Sequence, residues 1–98
     1  MCGCNLGILT NCYNTGIVKG QSFVGGVSGD NNKTITNCYN TGIVSGQSYV
    51  GGIDGDNSGT ITNCNNEGKV SGTEDYVGGV SGDNNKTITN CYNTCLLY

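Results

Sequence analysis

The sequence predicts an all-β fold, a parallel β-helix (β-solenoid) of about 3.5 coils with three short strands per coil. Three observations carry this. Asn-Cys recurs at Asn11-Cys12, Asn37-Cys38, Asn63-Cys64 and Asn90-Cys91, in steps of 26, 26 and 27 residues. The segment that follows these marks returns nearly unchanged; its fullest copy is residues 34–53, TITNCYNTGIVSGQSYVGGI. Finally, the chain is only 35% hydrophobic, with 18 glycines and no proline. That is lean for a globular core but sufficient for stacked coils, which share main-chain hydrogen bonds and turn most side chains outward.

The 98 residues bound the chain to one domain. Residues 1–10 fall into phase with 27–36, since Gly3, Asn5, Leu9 and Thr10 match Gly29, Asn31, Ile35 and Thr36. They form a partial repeat. Full repeats follow at 11–36, 37–62 and 63–89. The third carries one extra residue, where Thr73-Glu74-Asp75 replaces Gln47-Ser48, and reads as a turn bulging from the stack. Residues 90–98 begin another repeat, with Cys95 at the place of Gly16, Gly42 and Gly68 and Leu97 at the place of Val18, Val44 and Val70. A chain that starts and stops inside a repeat, with no recognisable polar cap, predicts a piece of a larger protein.

Within the middle repeat, strand signals cover 34–39, 43–45 and 48–53. Turn signals lie at 40–42, 46–47 and 55–59. No helical period occurs, and a glycine-rich chain disfavours helix.

Comparing repeats separates inside from outside. One position reads Ile17, Ile43, Lys69 and so faces water; its neighbour reads Val18, Val44, Val70 and faces in. Four more columns stay apolar: Leu9/Ile35/Ile61/Ile88, Cys12/Cys38/Cys64/Cys91, Val24/Val50/Val77 and Val27/Ile53/Val80. These five columns are the predicted core ladder. Phe23/Tyr49/Tyr76 and Tyr13/Tyr39/Asn65/Tyr92 are placed on the outside.

The net charge of −3, with no arginine and no histidine, argues against a nucleic-acid partner. No apolar run reaches 18 residues, so no membrane span is predicted, and no secretory signal opens the chain. Catalysis is not expected. No histidine can serve as base to a Ser or Cys nucleophile, and the seven acids lie mostly in turns rather than paired across a cleft. Asp54 alone falls in a strand-like stretch, where sister repeats have Ser28 and Ser81.

Seven cysteines raise the question of disulfides and metal. In-register stacking keeps Cβ atoms about 4.8 Å apart, beyond the range of about 3.5–4.5 Å that a disulfide favours. The Cys column therefore reads as buried thiols acting as small hydrophobes. Cys2-Gly3-Cys4 is one close pair without histidines, so no metal or cofactor is predicted. The Gly-Asp-Asn turns at 29–32, 55–58 and 82–85 could offer oxygens to calcium, but Asp, Asn and Gly also suit turns for their own sake. In Thr-Ile-Thr, an inward Ile turns both threonines outward. Thr34, Thr36, Thr60, Thr62, Thr87 and Thr89 thereby form a candidate ligand face of the kind an ice-binding solenoid uses, with Ile8 breaking one rank.

At Gly26-Val27-Ser28-Gly29, Gly52-Ile53-Asp54-Gly55 and Gly79-Val80-Ser81-Gly82 the chain resembles the GLUG-motif repeat family, as it does in the segment Asn37-Cys38-Tyr39-Asn40-Thr41-Gly42. Val or Ile stands where that motif has Leu. The resemblance covers about residues 9–98. It implies a right-handed parallel β-helix within a large bacterial surface or secreted protein. It brings no catalytic residue, since none belongs to the repeat. The expected role is a structural and adhesive module at the cell surface or outside the cell, a stiff spacer displaying side-chain ladders to host or matrix glycans or proteins. Raw coil ends predict end-to-end self-association. The alternative is a ligand-binding solenoid, for ice through the Thr ranks or calcium through the Asp/Asn turns.

Overall fold

The computed structural model describes residues 2–94, so the alignments of Cys95 and Leu97 lie outside the described residues. All strands in that span are short, and each pairs in parallel with the strand one repeat away. The result is a β-solenoid. In the central coil the strands are Thr34–Thr36, Tyr39–Asn40, Val44–Gly46, Ser48–Gly51 and Asp54–Asn57. They build five sheets that run along the stack. Ile61 pairs with Ile35 and Ile88, Val44 with Val18 and Val70, and Val50 with Val24 and Val77. The offset is one repeat throughout. It absorbs the extra residue at Thr73-Glu74-Asp75, an exposed bulge after which Val50 N–H again reaches Tyr76 O at 2.9 Å.

Five strands per coil replace the three that the sequence predicts, for two reasons. The segment 34–39 is broken at Asn37, whose φ is 55°, and the same corner recurs at Asn11, Asn63 and Asn90. Asparagine is among the residues that reach this left-handed conformation most readily. The second departure is Asp54–Asn57, most of which reads as a turn by composition but is a strand; the bend is confined to Ser58-Gly59. Asp, Gly and Asn are poor strand formers alone, but in-register pairing with the coils on both sides overrides that preference.

The interior is divided in two. One cluster holds Val27, Ile35, Cys38, Ile53, Ile61 and Cys64, with Leu9, Cys12, Val80, Ile88 and Cys91 packed against it. The other holds Val24, Val44, Val50 and Val70, with Val18 and Val77 alongside. Every member of the five inward columns lies in one of these clusters.

Between the clusters the backbone closes on a file of asparagines. A Cβ at Gly52 would lie 2.3 Å from Asn66 Cγ and 2.3 Å from Gly79 O, and one at Gly26 would lie 2.7 Å from Asn40 Cγ. The second glycine of each Gly-x-x-Gly unit is constrained differently: a Cβ at Gly29 would lie 2.4 Å from Phe23 O, and one at Gly55 would lie 2.6 Å from Tyr49 O. No described glycine has positive φ. These glycines are required for close approach, not for turn conformation.

Candidate functional site

Outward-facing ladders are the chemically distinctive surface. The threonines of Thr34–Thr36, Thr60–Thr62 and Thr87–Thr89 flank inward isoleucines and remain partly or fully exposed. Their strands pair position for position, giving two parallel ranks on one sheet. Thr89 Oγ1 donates to Thr62 Oγ1 at 3.2 Å. Ile8, 73% exposed, occupies the first place of one rank.

The aromatic column forms a continuous stack. Phe23 and Tyr49 have ring centroids 4.7 Å apart, and Tyr49 and Tyr76 are 4.6 Å apart, with interplanar angles of 12° and 17°. All three residues have φ between 54° and 63°, a costly conformation for a bulky side chain. Strand register and ring stacking hold them there. Tyr13 and Tyr39 stack at 5.2 Å in a second rank that Asn65 interrupts before Tyr92.

The Gly-Asp-Asn segments resolve into two kinds of residue. Asp30, Asp56 and Asp83 occupy one partly exposed column, in register. Burial, and then the charges of Asp83 and Asp30, raise the Asp56 carboxyl above its ordinary range. No grouping of three His, Cys, Asp or Glu side chains suited to a metal ion occurs among the described residues.

The adjacent asparagines point inward. Asn5 Nδ2 donates to Asn31 Oδ1, Asn31 to Asn57 and Asn57 to Asn84, each at 2.8 Å. A second file runs Asn14 to Asn40 to Asn66 to Asn93, at 2.8, 2.8 and 2.7 Å. In both files the same amide also bonds the backbone two residues on, as where Asn40 Nδ2 donates to Gly42 O and Gly42 N–H donates to Asn40 Oδ1. These buried ladders are the main feature that sequence reasoning missed. The signal was present: Asn31, Asn57 and Asn84 never vary, while the next column reads Asn32, Ser58 and Asn85.

The Cys column is inward, with Cys38 and Cys64 fully buried and Cys12 and Cys91 partly so, and none of the four is in a disulfide. Each thiol donates to the carbonyl of the threonine two residues earlier, at 3.1–3.3 Å. Its neighbour Cys38, and then burial, push the Cys64 thiol up; burial also raises Cys91.

Asp54 is the anomaly of the interior. It is fully buried, and neither carboxyl oxygen has a hydrogen-bonding partner. Burial pushes it up to about 8. In the sister coils Ser28 Oγ and Ser81 Oγ donate instead to Asp30 O and Asp83 O.

No helix long and apolar enough to cross a membrane occurs among the described residues. In comparison with known proteins, the chain matches no family model, no curated protein and no solved structure.

Proposed function

We propose that the chain is a structural and adhesive repeat module, a stiff spacer that displays in-register side chains and carries out no catalysis. The observation that carries this reading is the outward stack of Phe23, Tyr49 and Tyr76, which spends strained backbone on a surface rank rather than on the core. Exposed aromatic edges with neighbouring polar groups suit glycans or protein surfaces. The resemblance to GLUG-motif repeats adds a setting, a larger bacterial protein at the cell surface or secreted. An array of glycans and matrix proteins tests the adhesive role. Saturable binding that Tyr49→Ser weakens, with an unchanged circular dichroism spectrum, supports it. Absence of binding across the array removes adhesion and leaves the spacer.

The regular Thr ranks favour a second reading, ice binding through Thr34, Thr36, Thr60, Thr62, Thr87 and Thr89. Thermal hysteresis in the parent chain that Thr60→Tyr abolishes would support it, and no hysteresis in the parent would end it.

A further inference from the structure

The thiol column is built by translation. Cys12, Cys38, Cys64 and Cys91 each donate to the carbonyl of the threonine two residues earlier, at 3.1–3.3 Å. For Cys38, Cys64 and Cys91 a second carbonyl, that of Leu9, Ile35 or Ile61 one coil back, lies 3.7–3.9 Å from the sulfur. Thiols held alike in every coil stand one coil step from each other. The stacked rings put that step at 4.6–4.7 Å. The two middle thiols are closed off from water, with Cys38 1% and Cys64 0% exposed, and they pack with Ile35 and Ile61 in one core cluster.

This spacing is too long for a disulfide, whose sulfurs bond at about 2.05 Å, but it fits another link between two sulfurs. With the zinc–thiolate length of about 2.3 Å as the scale of a metal–sulfur bond, two such bonds in line span about 4.6 Å. We propose that the column is a site for a soft divalent cation of linear two-coordination, the mercuric ion being the type, held between the thiolates of adjacent coils. Each ion takes two neighbouring sulfurs, so the four thiols accommodate two ions.

The interior selects this kind of ion. Thiolate is a soft ligand and favours soft metals. Zinc takes four ligands in a tetrahedron, whereas the column offers two sulfurs in line. Among the described residues, no three His, Cys, Asp or Glu side chains are grouped to hold a metal ion. Charge narrows the choice further. Two thiolates and a divalent cation make a neutral unit, while a monovalent cation would leave a net charge in the core, where burial is costly. The carbonyls that lose a thiol donor are not orphaned. Those of Thr36, Thr62 and Thr89 also accept from the N–H groups of Asn11, Asn37 and Asn63 at 3.2 Å. Entry of one ion breaks two S–H bonds, forms two metal–sulfur bonds and releases two protons, with no change of oxidation state.

Competition with a small thiol tests this. Cys2, Cys4 and Cys95, which fall outside the column's phase, are replaced by serine, and the chain is refolded from urea with mercuric ion and excess glutathione. Glutathione itself holds the ion between two thiolates, so the chain retains it only where two thiols are already placed. The displaced glutathione thiolates carry off the two column protons. Native mass spectrometry should show two ions per chain, each adding the mass of the metal less two protons, and the melting temperature should rise. In this background, Cys12→Ser with Cys91→Ser leaves the neighbours Cys38 and Cys64 and should retain one ion. Cys12→Ser with Cys64→Ser leaves Cys38 and Cys91, two coils apart, and should retain none. Cys38→Ser with Cys91→Ser leaves Cys12 and Cys64, again two coils apart, and should also retain none. Circular dichroism shows which of these chains are folded and so comparable. No retained ion in the chain with the full column, or equal retention by adjacent and separated pairs, overturns the proposal. So does a melting temperature that falls with the ion, which would place it on thiols of the unfolded chain.

Discussion

The side-chain amide of Asn40 donates to Oδ1 of Asn66 at 2.8 Å, with both residues fully buried. Asn66 in turn donates to Asn93 Oδ1 and Gly68 O and accepts from Gly68 N–H. Within the interior these bonds pair the buried amide of Asn40 and the buried Gly68 carbonyl, whereas Gly68 N–H also donates to Asn40 O at 3.2 Å. Removing one member orphans at least two groups, at about 1–3 kcal/mol each. Asn66→Ala is expected to lower unfolding stability by about 3 kcal/mol or more. Urea denaturation checks this; a loss below about 1 kcal/mol would mean that the ladder adds no more than ordinary exposed bonds.

Asn65 lies next to that ladder but faces the other way, in the column of Tyr13, Tyr39 and Tyr92. Its Oδ1 is buried without a partner. Asn65→Tyr should join the two halves of the rank through rings on either side and remove the orphaned oxygen. The expected gain is about 0.5–1.5 kcal/mol, a rise in melting temperature of a few degrees. A lower melting temperature would show that the column cannot take a third adjacent ring.

Glycine substitution should separate two classes of position. Gly52→Ala drives a methyl group into Asn66 Cγ and Gly79 O, both 2.3 Å from the new carbon and both held on two sides. It should abolish the folded state, read as loss of the strand signal in circular dichroism. Gly7→Ala meets nothing within 4 Å and should leave the melting temperature within a few degrees of the parent. Equal tolerance at both sites would contradict the close approach between Gly52 and Asn66.

Repetition made the coil, its period and its inward columns readable, because Leu9, Ile35, Ile61 and Ile88 cannot remain apolar at one phase by accident. The strand count was harder to read. A left-handed Asn37 looks like any strand-flanking asparagine, and Asp54–Asn57 has the composition of a loop. The Asn ladders escaped for a related reason. Local propensity assigns asparagine to turns, and only in-register stacking lets a buried amide satisfy itself against the next copy of itself. Asp54 was visible as a departure from Ser28 and Ser81, but its burial was not. The Thr and Tyr ranks were legible as surfaces, whereas the stacking of Phe23, Tyr49 and Tyr76 on positive-φ backbone was not.

Asp54 should make the fold more stable in acid. Its folded pKa is raised to about 8, whereas an unfolded aspartate titrates near about 3.9. Between those values the folded chain holds a proton that the unfolded chain has released. Stability from this group therefore falls as pH rises from about 4 to about 8, by up to about 1.4 kcal/mol per pH unit. Asp54→Ser restores the residue of the sister coils, whose hydroxyl finds a carbonyl two residues on. Urea midpoints at pH 5 and pH 8 should differ clearly in the parent and little in the variant. Identical pH profiles would contradict the buried, unpartnered carboxyl.

The central claim is a parallel stack in which each residue meets its counterpart one repeat away. Nuclear Overhauser contacts in a uniformly labelled sample test it most directly. The parallel stack predicts contacts between Ile35 and Ile61, Val44 and Val70, Val50 and Val77, and between the side-chain amides of Asn40 and Asn66, at a constant offset of 26 or 27 residues. Contacts whose offset changes steadily along the chain, the mark of antiparallel hairpins, would contradict it, as would a sample with helical or purely sequential contacts.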